Sequence, residues 1–408
     1  MIKVSFGNKN MEIIKTHTGK IYVDTDRQLE FLTVGDYGKE NNIKADFLGL
    51  HKEINGVTNT EVDLTEKWVA TISTQKGCPM RCKFCDCPRF GFYGNATIED
   101  LIYEIQTILQ GETVNHTDRF NVHFARMGEP TFNFNVLEFT SKKLKPLVSH
   151  YINAKTVHPV ISTMLPKSNK RLEEFILRWC DVKNEEYNGE AGLQFSINST
   201  DDAQRNDQFN SMSLSLDEIS ALAVKLPMPK GRKYTLNFAV TAQTALNAKR
   251  LSELFDKNKF IVKITPIHET NSAVTNGFDV TTSYTNYDVY REFEQPLVDE
   301  GWDVIVFVPS KEEDSDRITC GNALISNVFG GIREVNSMTN FEEIKRKIAN
   351  MNIDELIEFC GGDTCENVLC SFVSDGDCCG NNYKVSYDCG GCIKKFLQRE
   401  TQVLPDMR

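Results

Sequence analysis

The sequence predicts an α/β fold: a parallel β-sheet with helices outside it, closed in part as a (β/α) barrel. A small β-rich N-terminal region precedes it and a metal-stapled tail follows. Three observations carry this. From Trp68 to about Val308, short β-branched or aromatic runs alternate with amphipathic helical segments. These β-α units recur at spacings of roughly 30 to 40 residues, the pattern of parallel strands joined by helical crossovers. The third observation is the distribution of the 13 cysteines, which crowd one short loop after the first predicted barrel strand and the last part of the chain.

Residues 1–66 hold the short β-like runs KIYVDT and LEFLTV, broken by GKENN and NGVTNTE, with no strong helix. The barrel, residues 67–335, has strand candidates at VATIST (69–74), NVHFA (121–125), PVIST (159–163), LQFSI (193–197), TLNFAV (235–240), IVKITPI (261–267) and DVIVFV (303–308). Thr97 with Asp100, and Ser215 with Glu218, form capping boxes ahead of apolar helical stripes. The last region, residues 336–408, reads as a helix at 340–359 and then a Cys-rich segment too rich in Gly, Asp and Asn to build a core. In such a barrel, function belongs at the C-terminal ends of the strands.

The chain has 408 residues, 40% hydrophobic and 25% charged, which is ordinary globular composition and excludes disorder as the main state. No apolar run approaches the roughly 18 residues of a membrane span, and the start MIKVSFGNKNMEIIK lacks a signal peptide's apolar stretch. A cytoplasmic location without membrane contact is the expectation. A net charge of −11 has the wrong sign for holding nucleic acid through bulk charge, so any such contact must be a local patch. Basic stretches occur at Lys142, Lys143 and Lys145, at Lys230, Arg232 and Lys233, and at Lys345, Arg346 and Lys347; such runs are usually solvated surface.

Directly after the first barrel strand come Lys76, Gly77 and then Cys78-Pro-Met-Arg-Cys82-Lys-Phe-Cys85. Three thiolates within eight residues can hold three irons of a 4Fe-4S cubane and leave the fourth open to chelate S-adenosylmethionine. The bland alternative is a zinc site, for which Cys87 could be the fourth ligand. The CxxxCxxC spacing, with an aromatic residue before its last cysteine, resembles the signature of the radical SAM superfamily.

Beyond this loop, QKGCPMRCKFC with GFYGN, MGEPTFNFNVL, ISTMLP, FSINSTDDAQRND, VTAQTALN with ITPI, and DRITCGNAL are similar, in order and spacing, to the RlmN/Cfr family of radical SAM methyltransferases, which methylate adenine in RNA. The resemblance covers roughly Lys67 to Val328. It implies that Gly128 and Glu129 hold the amino end of S-adenosylmethionine, that Ser162, Ser196, Ile197 and Asn198 line it, and that Cys320 carries a methyl group to the substrate. It also implies an RNA substrate and a reducing partner such as flavodoxin or ferredoxin. Two positions depart. Thr71 stands where the family has the second cysteine that breaks the covalent adduct, and His268 stands where it has a ribose-contacting Asn. Cys87 could supply the missing thiol but is more simply a packing residue, and Cys180 in FILRWC is most simply core.

The tail cysteines Cys360, Cys365, Cys370, Cys378, Cys379, Cys389 and Cys392 fall outside the resemblance. Their density in a polar segment implies a bound metal, zinc or a second iron-sulfur cluster. Three functions compete: alkylation of an unactivated carbon of a nucleobase in RNA, most simply methylation; radical modification of a peptide or small molecule, aided by a second cluster; and a zinc-stapled binding protein without catalysis. Cys320 discriminates them, because only a methyl carrier needs it.

Overall fold

The computed structural model describes residues 2–4, 11–16, 18–35, 64–280, 288–309 and 311–325. By internal contacts the chain divides into two compact units, Met1–Ile332 and Arg333–Arg408. The seven tail cysteines, the predicted helix at 340–359 and the basic run at Lys345 to Lys347 lie outside the described residues.

The strands are β1 (Ile2–Val4), β2 (Met11–Lys15), β3 (Gly19–Asp24), β4 (Leu29–Val34), β5 (Lys67–Ile72), β6 (Gln75–Gly77), β7 (Phe92–Asn95), β8 (His116–Phe124), β9 (Asn153–Thr163), β10 (Gly192–Ser196), β11 (Tyr234–Val240), β12 (Phe260–Pro266) and β13 (Val304–Val306). All but β6 and β7 form one sheet of 11 strands, in the order β1-β2-β3-β4-β5-β8-β9-β10-β11-β12-β13. Its first five strands pair antiparallel, and from β5 to β13 every neighbour is parallel. The N-terminal strands therefore extend the sheet at the β5 edge, where the Trp68 indole N–H donates to Thr33 Oγ1 at 2.7 Å.

Parallel strands laid down in sequential order keep their crossover helices on one face. That face carries the main core. Trp68, Ala70 and Ile72 of β5, Phe120, Val122 and Phe124 of β8, Leu236 and Phe238 of β11, and Val262 and Ile264 of β12 pack with Leu101, Ile105 and Ile108 of the helix Ile98–Gln110. Both capping boxes form: Thr97 N–H donates to the Asp100 carboxylate and Asp100 N–H to Thr97 Oγ1, each at 3.1 Å, with the same exchange between Ser215 and Glu218. A cap of this kind is worth about 1 kcal/mol. By strand alternation, the residues between the core positions face the other side: Thr71, His123, Ser162, Ser196, Asn237 and Lys263.

That second face is the inside of a curved sheet. The segment after β13, residues 311–325, lies at one end of the parallel run, yet it bonds to groups at the other end. Arg126, two residues past β8, donates through Nη1 to Thr319 O at 3.3 Å and through Nη2 to Arg317 O at 3.0 Å and Asn322 O at 3.1 Å. Glu30 of β4 accepts from Arg126 Nε at 2.8 Å, from Arg126 Nη2, and from the backbone N–H groups of Leu324 and Ile325 at 2.9 and 2.6 Å. These bonds require the sheet to curl into a partial barrel. Among the described residues, no helix is long and apolar enough to cross a membrane.

Candidate active site

The loop from Cys78 to Gly91 crosses the mouth at the C-terminal ends of the strands, and it is tied to the segments past β8, β10, β12 and β13. Just before it, Thr74 and Gln75 donate backbone N–H to Met127 O past β8; within it, Cys87 Sγ meets Arg126 O past β8 and Lys83 N–H bonds to Gln208 O past β10. Thr270 Oγ1, past β12, donates to Phe84 O at 2.9 Å, and Asp86 N–H bonds to Gly321 O, past β13, at 2.8 Å. Asp86 is the main tie. Its carboxylate accepts from the N–H groups of Asn271 (3.1 Å) and Ser272 (2.8 Å), from Ser272 Oγ (2.7 Å) and from Arg317 Nη1 (3.1 Å).

Cys78, Cys82 and Cys85 are half-buried on this loop. Burial and mutual repulsion push the Cys78 and Cys82 thiols well above the ordinary thiol range, whereas a hydrogen bond from Cys87 holds Cys85 below it. A cubane binds each of three thiolates to a separate iron, and three cysteines on one loop fit that donor set. Cys87 is buried, with its sulfur 3.2 Å from Arg126 O.

The Gly128-Glu129 turn lies beneath the loop. Gly128 has φ +100°, and a Cβ there would stand 2.6 Å from Gln75 Cβ, so only glycine fits. Glu129 is buried; Oε1 accepts from Thr131 N–H (3.2 Å) and Thr131 Oγ1 (2.8 Å), Oε2 from Met164 N–H (3.0 Å), and burial raises its carboxyl. Ser162 and Ser196 line the inner face at neighbouring strand ends. Ile197 does not: its side chain lies in the outer core, so only its backbone is near the site. Asn198 is buried with φ +62°, and its side-chain oxygen accepts from Ala239 N–H at 3.3 Å. His268 Nδ1 lies 3.2 Å from Asp314 Oδ1.

Cys320 is brought over the loop by the latch around Glu30 and Arg126. The residue is exposed, its sulfur lies 3.9 Å from Ala125 O, and surrounding protein pushes the thiol up to about 11. Gly321, at φ +85°, allows the backbone to pass against Phe84 and Cys85. Thr71 lies on the inner face of β5 in register with His123 of β8. Cys180 is fully buried in the core cluster.

Sequence reasoning missed Asp86, Arg126, Arg205 and Lys263. Arg205 is buried; it donates through Nη1 to Ser196 O and Ile197 O, both at 2.6 Å, and through Nη2 to Met164 O at 3.3 Å and to Ser213 Oγ. It braces two of the strand ends named above. Lys263 faces inward with its ammonium 4.9 Å from the Phe307 ring centre, and burial lowers it to about 8. The available signals were an Asp inside the cysteine loop and charged residues in otherwise β-like runs. The basic runs, by contrast, are engaged: Lys142 with Glu138, Lys145 with Glu186 O, Lys230 with Glu185, and Lys233 with Asp303.

No protein-family model matches the chain. It is 27% identical over 270 residues to a "probable dual-specificity RNA methyltransferase RlmN" of Petrotoga mobilis, covering 62% of this chain and 67% of that one. It is 29% identical over 213 residues to a protein of the same description from Thermotoga petrophila, covering 50% and 56%. With a radical SAM methyltransferase of Sphaerobacter thermophilus it shares 15% identity at a TM-score of 0.48, over 79% of this chain and 80% of that one. The match thus spans about two thirds of the first relative and little more than half of the second. The relatives it matches are described as RlmN-type RNA methyltransferases.

Proposed function

We propose that the chain is a radical SAM methyltransferase that modifies an unactivated carbon of a nucleobase in RNA, with Cys320 as the carrier of the methyl group. One observation carries this reading. The chain after the last barrel strand is latched back over the cysteine loop by Glu30, Arg126 and the Asp86–Arg317 pair, and it presents an exposed Cys320 there. The RlmN homologues support RNA as the substrate class.

In this reading Cys78, Cys82 and Cys85 hold a 4Fe-4S cluster, which with S-adenosylmethionine supplies the carbon radical and the methyl group. Gly128 gives the ligand close access to the backbone, and buried Glu129, short of cationic partners, meets the ligand's amino group. Ser162, Ser196 and the backbone of Ile197 and Asn198 flank it, held in place by Arg205. His268 contacts it from past β12, oriented by Asp314. Thr71 has no thiol, so a substrate adduct on Cys320 persists unless another cysteine resolves it; Cys87, buried and in contact with both Cys85 and Arg126 O, is poorly placed for that. Flavodoxin or ferredoxin supplies the electron, and the tail cysteines hold zinc or a second cluster.

The test is anaerobic reconstitution with methyl-labelled S-adenosylmethionine, a reductant and total RNA. The expected result is 5′-deoxyadenosine together with label in RNA, and Cys320→Ala keeps the first while losing the second. If wild type forms 5′-deoxyadenosine but labels only peptide or small-molecule fractions, the RNA assignment is wrong.

A further inference from the structure

An acidic molecule in which Lys142, Lys145, Lys230 and Lys233 are already engaged still needs a place to hold a polynucleotide. The described residues offer one beside the cysteine loop. Strands β6 and β7 form a separate two-stranded antiparallel ribbon on either side of that loop, and the N–H of Cys78, directly after β6, donates to Gly91 O at 2.9 Å. On β7, Phe92 is 43% exposed and Tyr93 54%. Consecutive strand residues point to opposite faces, so exposure of both means that β7 is the open edge of the ribbon, while β6, with Gln75 buried, anchors it to the body. No other aromatic side chain is among the exposed large hydrophobics of the described residues.

The ribbon is built to hold these rings still. The two strands touch so closely that a Cβ on Gly77 would collide with Gly91 O, and Gly77, Gly91 and Gly94 take φ of +81°, +96° and +121°. Buried Phe90 packs against Tyr93 with ring centres 5.1 Å apart, and the Tyr93 ring lies 3.5 Å from where a Cβ of Gly91 would be. Two arginines lie before these rings in the chain. Arg81 is exposed and has no ion-pair partner among the described residues, and Arg89 is exposed with only Asp86, at 3.8 Å.

We propose that this ribbon is the docking surface for the single-stranded RNA that flanks the modified nucleotide, with Tyr93 and Phe92 stacking on bases and Arg81 and Arg89 meeting phosphates. The proposal rests on the RNA reading above and names where that RNA is held. A rigid ring accepts the face of any base, and a guanidinium matches phosphate oxygens. Together they make a sequence-tolerant grip immediately outside the catalytic loop.

The experiment is fluorescence anisotropy of a short unstructured RNA carrying fluorescein, titrated with the full chain at about 50 and about 200 mM salt. Tyr93→Ala should weaken binding by about 5- to 150-fold, the range for loss of one stacked base, without changing the salt dependence. Tyr93→Trp should restore it. The pair Arg81→Gln with Arg89→Gln should lower the slope of log affinity against log salt by about 0.7 per phosphate lost. Both sites are exposed, so matching unfolding midpoints serve as the folding control. Wild-type binding that both variant sets leave untouched overturns the docking surface and spares the RNA reading. No binding by wild type at low salt overturns both, and so does a peptide that binds the ribbon in place of RNA.

Discussion

Removing the Arg126 guanidinium should loosen the segment that presents Cys320. In Arg126→Met, Glu30 keeps a fully buried carboxylate and loses the one cation paired with it among the described residues, and the carbonyls of Arg317, Thr319 and Asn322 each lose a donor. Breaking a buried ion pair from one side costs about 3–5 kcal/mol. The N–H groups of Leu324 and Ile325 still reach Glu30 and soften the loss, which sets the expectation at the lower end of that range. A domain stable by about 5–15 kcal/mol survives this. The double variant Glu30→Leu with Arg126→Met removes both charges together and should cost less than the sum of the single changes, with a coupling of about 2 kcal/mol. Urea unfolding of the four proteins gives the cycle. Hydrogen exchange gives the local reading, with amides 317–325 losing protection before the strands do. Additive single effects, or an Arg126→Met within about 0.5 kcal/mol of wild type, would refute the latch.

Arg205→Met removes three hydrogen bonds, to the carbonyls of Ser196, Ile197 and Met164, of which the last two keep donors in Ser199 N–H and Ser213 Oγ; at about 1 kcal/mol for each bond it should cost up to about 3 kcal/mol. It should also weaken S-adenosylmethionine at least about tenfold, equivalent to 1.4 kcal/mol, by equilibrium dialysis; an unchanged affinity would confine Arg205 to a structural role. Lys263 is lowered by burial to about 8, against about 10.4 for an unfolded lysine. The unfolded state therefore binds more protons between those values, so this residue's penalty is full below about pH 8 and is relieved as pH rises to about 10.4. Lys263→Met should be more stable than wild type at pH 7, by up to about 3 kcal/mol, with the gap closing over that window. A gap that does not change with pH contradicts the burial of this ammonium.

The barrel strands were legible because β-branched and aromatic residues recur at period two on faces that a core must cover. In β5, Trp68, Ala70 and Ile72 face the helices while Thr71 faces in. The first halves of β8 and β9, from His116 and Asn153, were not legible, because HTDR and NAKT are polar and hold their place by ladder bonds and polar side-chain contacts such as Thr156 Oγ1 on Asp118 O. Both capping boxes showed because their signal lies within four residues. The cysteine loop and the Gly128-Glu129 turn were visible as local spacing. What remained hidden was long-range: Arg126 meets Glu30 across 96 positions, and Arg317 meets Asp86 across 231. The side chain of Ile197, one step past a strand end, alternates to the outer face and leaves only its backbone on the inner side.

The most direct test of Cys320 as methyl carrier is mass spectrometry of the protein, isolated after anaerobic incubation with S-adenosylmethionine and reductant but without RNA. The expected result is a peptide carrying about 14 Da on Cys320, the mass of one methylene, absent when Cys78, Cys82 and Cys85 are all replaced by Ala. An unmodified Cys320, in protein that still produces 5′-deoxyadenosine and turns over fully as Cys320→Ala, would contradict the account.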